Sequence, residues 1–294
     1  MALPRTTFDQ WLAFAAVVDS GGFSQAAARL HRSQSAVSYL LARLQESLGV
    51  RLLEIRGRRA ELTEAGRELL RRSRPAIDQF ERLEKLAQSL QQGWEAELRL
   101  VVDASFPQEP LMQVLGELRQ GCPHTTVQLA DAVLSGAEEA IVHGEADVVV
   151  TTRVPPQALG DWLMDVPMIA VSSPGHPLQG ADEPVTVDAL AEHTQVVVRD
   201  SGREHPRDEG WLGAERRWTV ASVEASLAVV RAGLAYAWLP GHRVQPLLVS
   251  GELKLLPMVA GSVRRMALHV VMVNGAGAGP AARLAVELLR KSVR

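Results

Sequence analysis

The chain has a single cysteine, Cys122, among 294 residues, which excludes an intrachain disulfide and any four-cysteine zinc site. It also lacks a long apolar run. Charged or polar residues interrupt even "ADVVVTTRV" and "LAVVRAGLAYAWLP", so no stretch reaches the length of a membrane span. The opening "MALPRTTFDQ" holds no apolar signal core, and together these absences point to a cytoplasm and away from a membrane. The eight histidines are scattered without metal-ligand spacing, so no metal site is expected. "SSPGHP" and the "REHP" around His205 lack the G-x-S-x-G elbow of a Ser–His hydrolase. "NGAGAGP", Asn274 to Pro280, puts Pro280 where a dinucleotide loop needs its third glycine. No catalytic set and no cofactor is expected from these patterns.

What is present supports two or three folded units. The hydrophobic fraction of 47% is ample for real cores, and the length exceeds one small domain. Net charge is only −3, but it is unevenly spread. Residues 1–60 carry eight arginines against four carboxylates, residues 61–92 six charges of each sign, and the remainder 17 basic against 24 acidic. A basic head on an acidic body suits a nucleic-acid module joined to something else.

Three zones follow from periodicity. Residues 1–62 read as helices followed by a basic hairpin. "TFDQWLAFAAVVDSG" is helical up to Gly21-Gly22, Ser24 is placed to cap a helix to about His31, and Ser33 one to Leu48. "RLLEI" and "AELT" then flank the basic tip "RGRR". Residues 63–94 read as a long helix opened by Thr63, with Leu69, Ala76, Leu83 and Leu90 recurring every seventh residue. Ser73, Phe80 and Ala87 interleave to complete a narrow seam for another helix, and Pro75 is expected to kink or split it. Residues 95–294 alternate strand-like and helical segments, which predicts a parallel α/β sheet in two lobes with ligands at the carboxyl ends of strands.

The stretch "SQAAARLHRSQSAVSYLLARL" carries the most specific signal. On a helix, Val37, Leu40, Leu41, Leu44 and Leu48 share one side. The other side holds Gln34, Ser35, Ser38, Tyr39 and Ala42 in place of the Glu and Lys of a solvated face. A helix–turn–helix inserts such a second helix into the major groove, where small side chains allow close approach and Gln34 can pair with adenine N6 and N7. Arg56, Arg58 and Arg59 of the hairpin would then reach phosphates or the minor groove as a wing.

"FSQAAARLHRSQSAVSYLLARLQESLGVRLLEIRGRRAELTEAG", Phe23 to Gly66, resembles the winged helix–turn–helix of LysR-type transcriptional regulators. "MIAVSSPGHPLQG", "PVTVDALAEHTQVVVRDSG" and "SVEASLAVVRAGLAYAWLP" resemble the same family's effector domain. The resemblance implies an α+β multidomain chain: a winged helix–turn–helix, a long linker helix, and a two-lobed periplasmic-binding-protein-like domain holding a small inducer. It implies a bacterial cytoplasmic homodimer, paired into a tetramer, on an interrupted inverted repeat of double-stranded DNA, with RNA polymerase as a further partner. By position, the DNA-contacting residues are Ser33, Gln34, Ser35, Ser38, Tyr39, Arg56, Arg58 and Arg59. Three positions depart from the family pattern: Tyr39 replaces a basic or amide residue, Leu53 a Phe, and Ile55 an Arg.

The effector-binding positions implied in the same way are Ser105, Thr151, Thr152, Arg199, Ser201, Gly202 and Ser222. Ser105 and Ser222 read equally as plain helix caps. Arg153, Arg199 and Arg203 tilt the inducer toward a carboxylate or other anion. Two alternatives stay open on the residues alone: an α/β enzyme with a DNA-binding head, and a DNA-organising protein without a ligand.

Overall fold

Local capping signals set the first elements. The computed structural model describes residues 4–56, 59–180, 184–209 and 213–294, the side chains of 55, 56, 59 and 60 excepted. The chain divides into two units, Met1–Gln88 and Ser89–Arg294, each described by itself.

In the first unit the Thr7 amide donates to Gln10 Oε1 at 2.9 Å, half of a capping box that starts α1 (Phe8–Asp19). Helix α2 (Phe23–Arg29) is capped by Gly22 rather than by Ser24, because starting at Phe23 sets that ring against the core. The displaced Ser24 hydroxyl donates instead to Gln34 Oε1 at 3.1 Å. Ser33 does cap α3 (Gln34–Leu48), accepting from the Ala36 amide at 3.2 Å, and Gly49 closes it at φ 70°. Leu41 and Leu44 of α3 pack with Phe14 and Leu52 in one core cluster, and Val37 with Ala13 and Ala16 in a second.

Strands β1 (Leu53–Arg56) and β2 (Arg59–Leu62) pair antiparallel. Their base is tied to α3 by Gln45, whose Oε1 accepts from the amides of Leu52 at 2.8 Å and Leu53 at 3.3 Å. Thr63 then opens α4 (Glu64–Gln91), its Oγ1 accepting from the Gly66 amide at 2.9 Å and donating to the Arg51 carbonyl at 2.7 Å. Pro75 does not split this helix. Leu70, five residues before it, and Ile77, two after, are both buried and hold the helix on the same core through the proline.

In the second unit the sheet order is β10 (Lys254–Leu255), β6 (Gly160–Ser172), β11 (Val263–Met272), β5 (Val148–Thr151), β3 (Glu97–Asp103), β4 (Thr126–Ala132). Strand β9 (Ala237–Pro240) also pairs with β6, and β7 (Gln195–Val198) with β8 (Arg217–Val220). The expected all-parallel sheet is therefore corrected to a mixed one. Strand β3 runs parallel to β4 and β5, and β7 to β8, but β6 is antiparallel to β9, β10 and β11. The reason is that β6 and β11 each traverse both lobes, and a chain that leaves a lobe on one strand must return to it on the other.

Helices α5 (Gln108–Gly121) and α10 (Pro280–Ser292) bury Leu98, Leu100 and Val102 on one face of the first lobe, while α6 (Ser135–Val142) covers Val149 on the other. In the second lobe α8 (Val223–Arg231) and α9 (Gly241–Ser250) bury Val171, Val196 and Leu239. On its opposite face α7 (Val187–Ala191) packs Leu190 against Tyr236, whose hydroxyl donates to the Leu190 carbonyl at 2.9 Å.

The glycine run at 275–279 is explained by its neighbour. The Glu95 carboxylate accepts from the amides of Ala281 at 2.9 Å and Ala282 at 3.1 Å, so the α10 N-terminus already holds an anion from its own chain. Among the described residues no helix is long and apolar enough to cross a membrane.

Gly66 has no room for a side chain, since a Cβ there would lie 2.1 Å from the Leu52 carbonyl oxygen. Gly66→Ala is expected to destabilise the first unit by about 1–3 kcal/mol, the range for overpacking. Urea unfolding followed in that unit checks this, and an unchanged midpoint would contradict the packing.

Candidate functional site

The first candidate site is the outer face of α3. Gln34, Ser35, Ser38, Tyr39 and Ala42 are all exposed, and Tyr39 keeps 65% of its surface, which is unusual for an aromatic side chain with no structural role. At the start of the helix Ser33 Oγ lies 3.0 Å from Ser35 Oγ, and Ser24 holds one lone pair of Gln34 Oε1. The second lone pair and the amide NH2 of Gln34 remain free, which is the pair of functions adenine requires. The five helix positions are thus brought onto one surface. Arg58 lies outside the described residues, as do the side chains of Ile55, Arg56 and Arg59.

The second candidate is a cavity of about 300 Å³ in the second unit, at the carboxyl ends of β3, β7 and β9. Such strand ends are where open α/β sheets hold ligands. Asp103, Ser105 and Leu134 line it from the first lobe, Gln195, Val198 and Ser226 from the second. The crossing strands supply Met168, Arg264 and Met266.

Asp103 is buried and organises the first-lobe side. Its Oδ1 accepts from the amide and hydroxyl of Ser105, and its carboxylate also accepts from the Leu134 amide. Burial still outweighs these donors and pushes its pKa above the usual carboxylate value. Leu134 holds φ 51°, a left-handed conformation that costs a side-chain-bearing residue about 1–3 kcal/mol. The bond to Asp103 keeps that strained turn in place against the cavity.

Of the seven effector positions implied by resemblance, Ser105 alone lines the cavity. Ser105 does not begin a helix: α5 starts at Gln108 after Pro107, because the Ser105 hydroxyl and amide are spent on Asp103. Thr151 is fully buried and donates to the Arg153 carbonyl at 2.9 Å, which makes it a turn-former, and Thr152 beside it is half-buried. Ser222 caps α8, accepting from the Ala225 amide at 3.1 Å. Neither Arg153, Arg199 nor Arg203 reaches the cavity.

Ser201 and Gly202 belong instead to a polar clasp between the lobes, while Arg199 stays within the second lobe. Ser201 Oγ accepts from the Val133 amide at 2.9 Å and donates to its carbonyl at 3.2 Å. Asp200 Oδ2 accepts from Ser135 Oγ at 2.7 Å and from the Arg207 amide at 2.6 Å. Glu139 of α6 accepts from three consecutive amides, those of Arg203, Glu204 and His205. Arg207 pairs with Glu138 across the lobes, whereas the Arg199 amide donates to the Val220 carbonyl at 2.8 Å and only extends the β7–β8 pairing. Gly136 and Gly202 lie where a Cβ would come 2.0 Å from Ser201 Oγ and Ser135 Oγ respectively.

Sequence reasoning passed over Gln195, Ser226, Trp238 and Arg264. A weak signal existed: Ser226 sits one turn after the Ser222 cap, on the side of α8 that buries Val223 and Val230.

The comparisons agree with this architecture. Residues 8–67 match the bacterial regulatory helix-turn-helix protein, lysR family, and residues 91–294 match the LysR substrate binding domain. The chain belongs to the LysR family. It is a transcriptional regulator with a DNA-binding helix–turn–helix and an effector-binding domain.

Among its LysR-family relatives, the HTH-type transcriptional regulator PunR of Escherichia coli K12 is 30% identical over 242 residues, 81% of this chain and 78% of that one. The HTH-type transcriptional regulator YhaJ of Escherichia coli O157:H7 is 30% identical over 241 residues, 80% of each chain. ArgP from Mycobacterium tuberculosis shares the fold at a TM-score of 0.56 and 21% identity, covering 97% of this chain and 96% of that one. CrgA from Neisseria meningitidis does so at 0.53 and 20%, covering 98% and 99%.

Asp200 is held below the usual carboxylate range. Burial pushes it up, but donors from Gly202, Arg207 and Ser135 outweigh burial. A depressed folded pKa adds stability that is fully present above the unfolded value, about 3.9, and is lost as pH falls through the folded value. Asp200→Asn is therefore expected to lower stability at neutral pH by about 1–3 kcal/mol. The gap to the parent should close below about pH 4. Thermal unfolding of both proteins across that range checks it; a pH-independent gap would remove the clasp carboxylate from the account.

Proposed function

We propose that this LysR-family regulator reads an interrupted inverted repeat in double-stranded DNA as a homodimer, paired into a tetramer, and that a small effector in the inter-lobe cavity sets its activity. The observation that carries the DNA reading is the exposed face from Gln34 to Ala42, free of both core packing and solvated charge. Ser33, Gln34, Ser35, Ser38 and Tyr39 face the groove. Arg56, Arg58 and Arg59 bind phosphate, an assignment made from the sequence alone. Its homologues are transcriptional regulators, and it acts as one, rather than as an enzyme, in the bacterial cytoplasm, with RNA polymerase as a downstream partner.

Self-association is supported by α4. Phe80, Leu83 and Leu90 remain about half exposed, at 50%, 50% and 48%, along the half of the helix beyond Ile77. A second copy of the helix on that seam would remove them from water. Leu83→Lys is expected to shift the molecular mass in light scattering from dimer or tetramer to monomer. An unchanged mass would place the dimer contact elsewhere.

For effector control, ligand must bind one arrangement of the two lobes better than another and so shift the population of DNA-bound states. The cavity sits beside the clasp, since Leu134 and Glu209 flank the clasped segments and also line the cavity. A bound molecule there can bias the closure of the lobes.

The DNA contacts divide into two kinds. Gln34→Ala should cost about 1–3 kcal/mol on the specific site and relax preference at one base pair. Arg58→Ala should weaken binding to every sequence and lower the salt slope by about one. Selection of bound fragments from genomic DNA, followed by salt titrations on selected and random duplexes, measures both. Equal losses on both duplexes for both variants would overturn this division of roles.

A further inference from the structure

Among the described residues, two polar groups in the cavity have no partner. Gln195 is 3% exposed and buries its Oε1 without a hydrogen bond, and Ser226 is 1% exposed and does the same with its Oγ. Both line the cavity. Buried polar atoms are nearly always bonded, so a pair left open on one cavity wall marks where a ligand's polar group belongs. Asp103 makes no such demand, because Ser105 and Leu134 already supply its donors.

A third group stands out by its charge. Arg264 lies over the Trp238 ring with its guanidinium carbon 4.5 Å from the centroid, and both side chains line the cavity. Arg99, Arg207, Arg217, Arg231, Arg243 and Arg290 of the same unit each hold a carboxylate. Among the described residues Arg264 holds none, and neither does Arg265, the other arginine that lines the cavity. Stacking uses the flat face of a guanidinium and leaves its in-plane N–H donors free for a planar anion. The cavity wall also carries an aliphatic set, Val196, Val198, Val223 and Met266. Asp103 and Glu209 on the cavity wall disfavour a second negative charge.

We infer that the effector is a small monocarboxylic acid with a compact apolar body and a hydroxyl or amino group at its far end. Its carboxylate rests on Arg264, its body on the valines, and its polar end satisfies Gln195 and Ser226. The cavity, at about 300 Å³, lies at the low end for small-molecule sites, which admits a metabolite and little more. This inference rests on the proposed role of the cavity as the effector site.

The test uses the full-length protein and a panel of hydroxy and amino acids of four to ten carbons, each paired with its methyl ester, plus neutral sugars and nucleosides. Thermal shift selects binders and calorimetry gives their affinities, on the parent and on Arg264→Gln, Ser226→Ala and Val198→Trp, with circular dichroism verifying each fold. Acids should raise the unfolding temperature saturably and their esters should not. Arg264→Gln should abolish that discrimination, Ser226→Ala should weaken binding on the order of tenfold, and Val198→Trp should block the cavity. Neutral sugars or nucleosides that bind and are blocked by Val198→Trp, yet ignore Arg264→Gln, would overturn the acid assignment and leave the cavity as the effector site. Binders indifferent to all three substitutions would overturn the cavity itself. A panel in which nothing shifts the protein would overturn the acid assignment.

Discussion

The second unit depends on one antiparallel ladder. Strands β6 and β11 run side by side from Val263 opposite Ile169 to Val271 opposite Gly160, with a register shift between Leu268 and His269. Val166 and Leu268 face the first-lobe core, while Val171 and Ile169 serve the second. One pair of strands thus anchors two cores, and Met168 and Arg264, directly opposite each other on it, form the back of the cavity. Among the described residues this ladder is the stretch of the sheet that carries both lobes.

The clasp joins the lobes from the other side. It is almost wholly polar, relying on backbone amides gathered by Asp200 and Glu139 and on a half-buried Arg207–Glu138 pair. Such bonds are worth little each against water, yet leaving the carboxylates buried without them would be costly. A joint of this kind is geometrically exact without the large apolar burial that would make it permanent. The cavity is enclosed between ladder and clasp, so the same lobe movement changes both its shape and the clasp bonds.

The first unit works differently. The outer face of α3 is defined by what the core leaves over: Val37, Leu41 and Leu44 turn the helix inward and leave the small, polar side exposed. Gln45 and Thr63 fix the hairpin base and the start of α4 to that same helix through backbone bonds. The base of the hairpin is therefore tied to α3 by the Gln45 side chain.

Much of this was legible in the sequence because it is local. The cap at Ser33, the stop at Gly49, the start at Thr63 and the inward stripe of α3 depend on residues within a turn or two of one another, and periodicity reports them directly. The course of β6 and β11, the continuity of α4 through Pro75 and the composition of the cavity were not legible. Asp200 finds Ser135 65 positions away in sequence, and Glu95 finds Ala281 186 positions away. Whether a serine is a cap, a clasp or an open ligand-facing hydroxyl depends on such distant partners. Ser222, Ser201 and Ser226 look alike along the chain and differ only in which donors and acceptors the folded neighbourhood brings to them. Sequence alone determined the helix caps and the exposed polar face of α3, where nearest neighbours decide the outcome. Tertiary structure decided which buried polar groups were left unsatisfied, because hydrogen-bond satisfaction belongs to the closed three-dimensional arrangement and not to any segment of it.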